Sequence, residues 1–521
     1  MDRPFSTLIK SKCDRLFPVS NIDIFLSYIN EIAYSLRIKQ RQSFLIPKSL
    51  LALGYDTIKS KQTSWIYMNK RAKKIQEISN NWKGFPNLRE EGRYEFLTQT
   101  IFVNSVEQRH LQALKTNPKD PILIRKIWKV FIHEITHWLD HTSTLWGQNN
   151  LVTIYNAFNA FENEKEDDLW RIIKLFSESS RNHFADYYEV NGPAMVNDDW
   201  SKIPWCYEYS CGLQYGSDGK PRLDRPFITT RFSNFDGTLI KRVPMSIASL
   251  IETIATAAEL QIELPVLTLL KSYLKEDEFL IEFNLFQKAL SDRIYDPHLT
   301  VYSVAAHCLA NSIRTKDIVL AYKYSSALAS LCLNLPSQAF EQLGTSYIKR
   351  LPLEIHEIIA KRASEMIALR DRGFAFFVLS QYVPETNFSN IPDWLENTVK
   401  SAGLPPLDTL NKMTIDEMSK LDQGILDGDL APRLTKLLGI GRENYAKRGI
   451  YGKHEPCYNS LLLNTKELTL PPIVLGDDNI FDVELFYDNP QYLSEDMDTW
   501  IFYVWSIEKK LREFQRACIA L

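Results

Sequence analysis

The chain has 521 residues, 45% of them hydrophobic and 24% charged, with a formal net charge of −3. That length suggests two or three domains, and the near-neutral charge gives no electrostatic footprint for a nucleic-acid partner. Seven scattered cysteines suit a reducing compartment, and neither a signal-peptide core nor an uninterrupted apolar run of spanning length stands out, so a cytoplasmic protein with no membrane partner is expected.

Residues 1–60 read as a helical N-terminal segment, with Ile22, Phe25, Tyr28, Ile29 and Ile32 at helical spacing. The basic run near Lys70 reads as a solvated face. Tyr94–Val103, rich in aromatic and β-branched residues, predicts a strand; at a sheet edge it would offer free backbone groups to an extended peptide. Asp120-Pro121 has the form of a helix N-cap followed by proline at the first helical position. From there Ile124, Ile127, Trp128, Phe131, Ile135, Trp138 and Leu139 recur at helical spacing, with no Gly or Pro before Gly147.

Inside that helix stands His133-Glu134-Ile135-Thr136-His137. Positions i and i+4 lie on one helix face, so His133 and His137 can aim two imidazoles at one point, half of a tetrahedral zinc site. Glu134, one position round, can reach a water on the open side of the metal and serve as general base. Asp140, three residues past His137, is placed to hydrogen-bond a ligand imidazole; His141, eight past His133, is about 80° off its face.

Further helices are expected over 151–161 and 169–190, the latter carrying Glu178, His183 and Asp186. Residues 191–245 hold many Pro, Gly, Asp and aromatic residues and predict a long irregular or hairpin-containing segment that shapes a cleft. Pro244–Leu260 returns to helix. Around Glu252 its same-face neighbours Ala248, Ser249, Ala255 and Thr256 are small, and Ile247, Leu250, Ile251 and Ile254 line the other side. Both sides look buried, so the carboxylate needs a partner, which a short reach to a metal would supply. From 276 onward the patterns are helical, clearest over 304–333, 351–379 and 498–521, with 439–472 irregular. His356-Glu357-Ile358-Ile359 begins like the zinc motif, but Ala360 ends the match.

Through His133-Glu134-x-x-His137 the chain resembles the zincin metallopeptidases. It lacks the metzincin extension, since Asp140 and Ser143 stand where that branch has Gly and His, which points to the gluzincin-like branch with a third ligand Glu on a later helix. Glu252 is the leading candidate. Glu164 is the alternative, because Asn163-Glu164-x-x-Asp167-Asp168 is similar to the Asn-Glu-x-x-Ser-Asp stretch of thermolysin-like enzymes; Glu178, Asp186 and Glu259 follow. The resemblance implies Zn2+ as cofactor, a protein or peptide substrate and peptide-bond hydrolysis with Glu134 as the catalytic base. By analogy the target is narrow, as in toxin or anti-phage systems. Tyr187, Tyr188, His183 and Tyr207 are regional candidates for the oxyanion donor. The competing expectation is a non-catalytic zincin-like interaction protein. The expected fold is α+β and mostly α: the helical segment 1–60, a zincin-like domain 61–275 with a small sheet and the active-site helix, and a helical accessory domain 276–521.

Overall fold

The computed structural model describes residues 91–96, 99–163, 166–168, 170–184, 205–216, 220–349, 356–385, 390–452 and 468–480, with single positions at 509 and 512. The expected N-terminal helical segment, the basic run near Lys70, Glu164, Asp186, Tyr187, Tyr188 and, apart from 509 and 512, the helical pattern over 498–521 lie outside them. The described fold is mostly helical with two small sheets, in line with the α+β, mostly α expectation.

The stretch expected as one strand is a hairpin. Arg93–Glu95 (β1) and Thr100–Val103 (β2) pair antiparallel, Tyr94 opposite Ile101. The reversal at Phe96–Gln99 places Gln99 at φ 56, the left-handed region, and its side chain donates to Phe96 O (2.5 Å) while accepting from Tyr94 Oη (2.7 Å). These local bonds offset a turn that composition alone reads as continuous strand. On its other side β2 pairs parallel with the late strand Ile473–Leu475, so among the described residues β1 is the edge strand.

Gln108–Thr116 (α1) leads to the motif helix Pro121–Ser143 (α2), which begins as expected: Asp120 Oδ1 accepts from the backbone of Ile122 and Leu123 (3.0 and 3.1 Å). The helix ends at Ser143, before Gly147, because Thr144 turns extended. Its hydroxyl donates back to Asp140 O (2.6 Å) and accepts from Gly147 N (3.0 Å), ending one helix and capping the next, Leu145–Glu162 (α3). Gly147 is required at this corner, since a Cβ there would lie 2.3 Å from the carbonyl oxygen of Asp140.

Trp170–His183 (α4) follows. The segment expected to be irregular or hairpin-containing is, over its described part, an antiparallel meander of two hairpins: Trp205–Tyr215 (β3), Pro221–Asn234 (β4) and Leu239–Pro244 (β5). Then comes Ile247–Tyr273 (α5), capped by Ser246, whose side chain accepts from Ser249 N (3.3 Å). Glu276–Ile294 (α6), Thr300–Ser312 (α7), Ile318–Asn334 (α8), Ser337–Ile348 (α9), His356–Ala368 (α10), Arg372–Ser380 (α11), Ile391–Ser401 (α12), Leu407–Ser419 (α13), Ala431–Arg448 (α14) and Ile473–Leu475 (β6) follow among the described residues.

α5 is the axis of the molecule. It packs along α2 on one side and along α7 and α8 on others. Its first half (Ile247, Leu250, Ile251, Ile254) belongs to the apolar cluster built on the meander and α8–α12; its second half (Leu260, Ile262, Val266, Leu267, Leu270) belongs to the cluster around α2, α3, α14 and the hairpin sheet. A helix apolar on all sides is a core helix. α5 is the one described helix long and apolar enough to cross a bilayer, yet 72% of its apolar window is buried. The expected boundary near 275 falls between α5 and α6. Packing continues across it: α14 lies on α2, and β6 completes the sheet begun by β1 and β2.

One buried histidine belongs to packing. His307 on α7 sits among Phe232, Tyr295, Tyr207 and Trp205, at ring separations of 5.1, 5.5, 5.8 and 6.2 Å, and its Nε2–H donates to Ile294 O (2.9 Å). Burial lowers its pKa to about 4, against a weaker upward pull from that hydrogen bond. A base with a depressed pKa stabilises the fold fully above its unfolded value, and that contribution is lost as pH falls from about 6.5 towards 4. The loss amounts to up to about 3 kcal/mol. His307→Gln, which keeps a donor and removes the titration, is expected to flatten thermal stability between those pH values; an unchanged slope would refute this origin.

Candidate metal centre

Four side chains at successive i+4 positions form a stripe on α2: Arg125, Lys129, His133 and His137. α5 runs against it with Glu263, Glu259 and Glu252, all nearly buried at 4%, 8% and 3% exposure. The helices meet as an antiparallel ladder. Arg125 Nε lies 2.8 Å from Glu263 Oε2; Lys129 Nζ lies 3.6 Å from Glu263 and 3.8 Å from Glu259; His133 contacts both Glu259 and Glu252; His137 contacts Glu252. Buried carboxylates demand such partners. The signal was present in sequence as two facing i+4 and i+7 stripes, visible only once α2 and α5 are known to be neighbours.

At the last rungs the ladder changes character. Nε2 of His133 and Nε2 of His137 are 3.0 Å apart, and Glu252 Oε2 is 3.4 and 3.5 Å from them. That oxygen is buried and has no hydrogen-bond partner. His133, His137 and Glu252 thus form a group that could hold a metal ion, the one such cluster among the described residues. A tetrahedral ion with bonds of about 2.0–2.1 Å has donor–donor edges of about 3.3–3.4 Å; an octahedral face at the same bond lengths has edges of about 2.9–3.0 Å. The two edges to Glu252 lie within about 0.1 Å of the tetrahedral value, and the edge between the imidazoles has the octahedral value.

Glu259 fixes the first imidazole. The His133 Nδ1–H donates to Glu259 Oε1 (2.6 Å), which leaves Nε2 as the atom facing Glu252 and His137. Arg293 Nη1 donates to the other oxygen of Glu259 (2.6 Å). Burial would raise the Glu259 pKa, but Arg293, His133 and Lys129 together hold it well below the usual carboxylate range. For Glu252 burial is likewise outweighed, chiefly by the charge of His137 and the polar contacts with both imidazoles, and its pKa falls to about 2. Burial opposes the charged form of His133, yet Glu252, Glu259 and Glu134 overcome it and its pKa rises well above the ordinary value.

Glu134 is 5% exposed. The chain entering β1 passes close against it: a Cβ on Gly92 would stand 3.1 Å from Glu134 Oε1 and 2.5 Å from a methyl of Val130. Only glycine permits that approach, and it brings the edge strand to the motif helix. Tyr302 on α7 closes another side, its ring 6.4 Å from the His133 imidazole. Burial, with the charges of Glu252, Glu134 and Glu259, pushes its phenol well above the ordinary value. Sequence reasoning missed Tyr302 because it lies on a different helix, in a run whose helical period reads as core.

The other expected residues fall elsewhere. Glu259 lies beside the cluster, on His133, and is not one of the three converging donors. Asp140 is fully buried and accepts from Arg448 on α14 (3.1 and 3.2 Å). His141 is enclosed by Tyr94, Phe96 and Trp146 at 5.2, 6.0 and 5.0 Å. Glu178 pairs with Lys174 at 3.6 Å on α4. The Tyr207 hydroxyl donates to His307 O (2.6 Å) inside the aromatic cluster, so it does not serve the metal centre. The side chains of His183 and His356 lie outside the described residues. Comparisons with protein-family models, with curated proteins and with solved structures found no match.

Proposed function

We propose that the chain is a zinc-dependent peptide-bond hydrolase, with His133, His137 and Glu252 as zinc ligands and Glu134 as general base. The observation that carries this reading is the convergence of His133 Nε2, His137 Nε2 and Glu252 Oε2 at 3.0, 3.4 and 3.5 Å. Two imidazoles and one carboxylate are the donor set of catalytic zinc sites that keep a fourth position open. Zinc, when bound, supplies Lewis acidity to a carbonyl and lowers the pKa of a coordinated water.

The chain's own residues do the rest. Glu259, held by Arg293, orients His133 through Nδ1. Glu134 accepts a proton from the attacking water and returns it to the leaving amine. The outer edge of β1 offers backbone groups to an extended substrate, and Gly92 brings that edge against Glu134. Tyr302 keeps its proton through the neutral range and donates it as a hydrogen bond to developing negative charge at the scissile carbonyl oxygen. Tyr302→Phe is expected to lower kcat about 10²–10³-fold with KM and metal content little changed. Unchanged kcat would remove Tyr302 from the reaction.

The test of the whole reading is metal analysis of the purified chain beside cleavage of an unfolded protein substrate. One zinc per chain is expected, with cleavage abolished by chelation and restored by zinc. A chain that binds no zinc at neutral pH refutes the proposal. The second reading, a non-catalytic interaction protein, is favoured by the ladder itself: Arg125, Lys129, Glu259 and Glu263 join α2 to α5 without any metal.

A further inference from the structure

A cavity of about 540 Å³ lies away from the metal centre, between α4, the start of β4, the first turn of α5 and the segment leading into α11. None of His133, Glu134, His137, Glu252 or Tyr302 lines it. Its volume falls in the range of small-molecule sites, roughly 300–1,000 Å³. One whole face of α4 forms its wall, from Trp170 through Ile173, Lys174 and Ser177 to Arg181. The opposite face of α4 carries the buried Ile172 and Leu175, so the helix is packed on one side and presents a second built face to the cavity.

Two properties of the lining define the ligand. The first is charge. Lys174, Arg181, Arg225, Arg370 and Arg372 stand against only Glu178 and Asp371. Arg181 is paired with Asp371, and Lys174 with Glu178. Arg372 donates to the carbonyls of Cys332 and Leu335 with Asp371 and Glu417 acting on it from farther off, and Arg225 donates to the neutral hydroxyl of Ser177 beside Asp224, so among the described residues neither makes a direct ion pair there. Arg370, half exposed, has Glu417 only at 3.6 Å. The second property is exposed aromatic surface: Trp170 is 51% exposed, with the Arg171 guanidinium over its ring at 4.8 Å, and Trp146 lines the cavity as well. A half-exposed indole beside an excess of guanidinium groups is matched by a flat ring carrying an anionic group.

We propose that this cavity is a second binding site, for a small anionic ligand bearing an aromatic ring, with the ring on Trp170 and the anionic group on Arg225. The occupant touches Ser246 and Ile247. Glu252 stands five residues further along the same helix, about 7.5 Å along its axis. The site goes beyond the hydrolase reading and does not depend on it.

The experiment is calorimetric titration of the metal-stripped full chain with AMP, with adenosine and inorganic phosphate as the two halves of that probe. Stripping the metal prevents a zinc-bound phosphate from mimicking the result, and the readout needs no turnover. AMP is expected to bind with Kd below about 1 mM, and each half at least about tenfold more weakly. Trp170→Ala and Arg225→Gln, both partly exposed positions, are each expected to weaken AMP about tenfold, with circular dichroism confirming the fold. Absence of AMP binding overturns the proposal, as does adenosine or phosphate binding as tightly as AMP. Wild-type affinity in either variant overturns it as well.

Discussion

Replacing Glu252 by alanine is expected to lower zinc affinity by more than ~100-fold, whereas Glu259→Gln lowers it only ~10–100-fold, the usual effect of losing a ligand's hydrogen-bonding partner. The difference follows from position: Glu252 Oε2 stands at one corner of the donor triangle, and Glu259 reaches only Nδ1 of His133. Competition against a chromophoric chelator measures both. Wild-type affinity in Glu252→Ala would move the third ligand to another carboxylate.

The metal-free chain gives a second readout that separates a metal site from an ion-pair ladder. Glu252 has a depressed pKa, so its stabilising contribution is present above about 4.5 and is lost as pH falls through about 2. His133 has a raised pKa, so its contribution is present below about 6.5 and is lost as pH rises through that higher value. The metal-free rungs are therefore strongest in mildly acid solution. Zinc needs both imidazoles deprotonated at Nε2 and binds better as pH rises. Stability of the zinc-loaded chain is thus expected to gain on the metal-free chain between pH 6 and 8, and Glu252→Ala to erase that gain. Parallel pH profiles with and without zinc would favour the ladder as the purpose of these residues.

The motif helix was legible in detail because its signals are local. Asp120 and Pro121 fix the start, and the apolar stripe fixes which side is buried. Glu252 was legible for a different reason: a carboxylate among Ala248, Ser249, Ala255 and Thr256 is out of place unless something meets it, and His133 and His137 do. Non-local features were hidden. The hairpin in 94–103 depends on Gln99 bonding across its own turn. The pairing of β2 with β6 joins residues more than 350 positions apart, which no periodicity reports. Tyr302 and Arg293 reach the centre only because α7 and the end of α6 pack on α5, so helical spacing marks those regions as core without saying what they face. Asp140 shows the converse: its spacing on α2 suited an imidazole, but Arg448, about 300 residues later, is the partner that meets it.

Glu134→Gln is expected to keep stoichiometric zinc and lose turnover by ~10²–10⁴-fold, the range for removing a positioned general base. Glutamine keeps the shape, so the close approach of Gly92 is preserved and the neighbouring imidazoles stay where they are. It cannot take a proton from water, and that is the single property removed. Glu134→Asp is a sharper probe, since it retains the carboxylate but withdraws it by one methylene; proton transfer requires contact at hydrogen-bond distance, so a large fall in kcat is expected there too. Neither change touches a ligand atom, so metal content separates them from Glu252→Ala. Full activity in Glu134→Gln would exclude it as the base. Zinc loss in that variant would show that Glu134 supports the ligand imidazoles rather than the reaction.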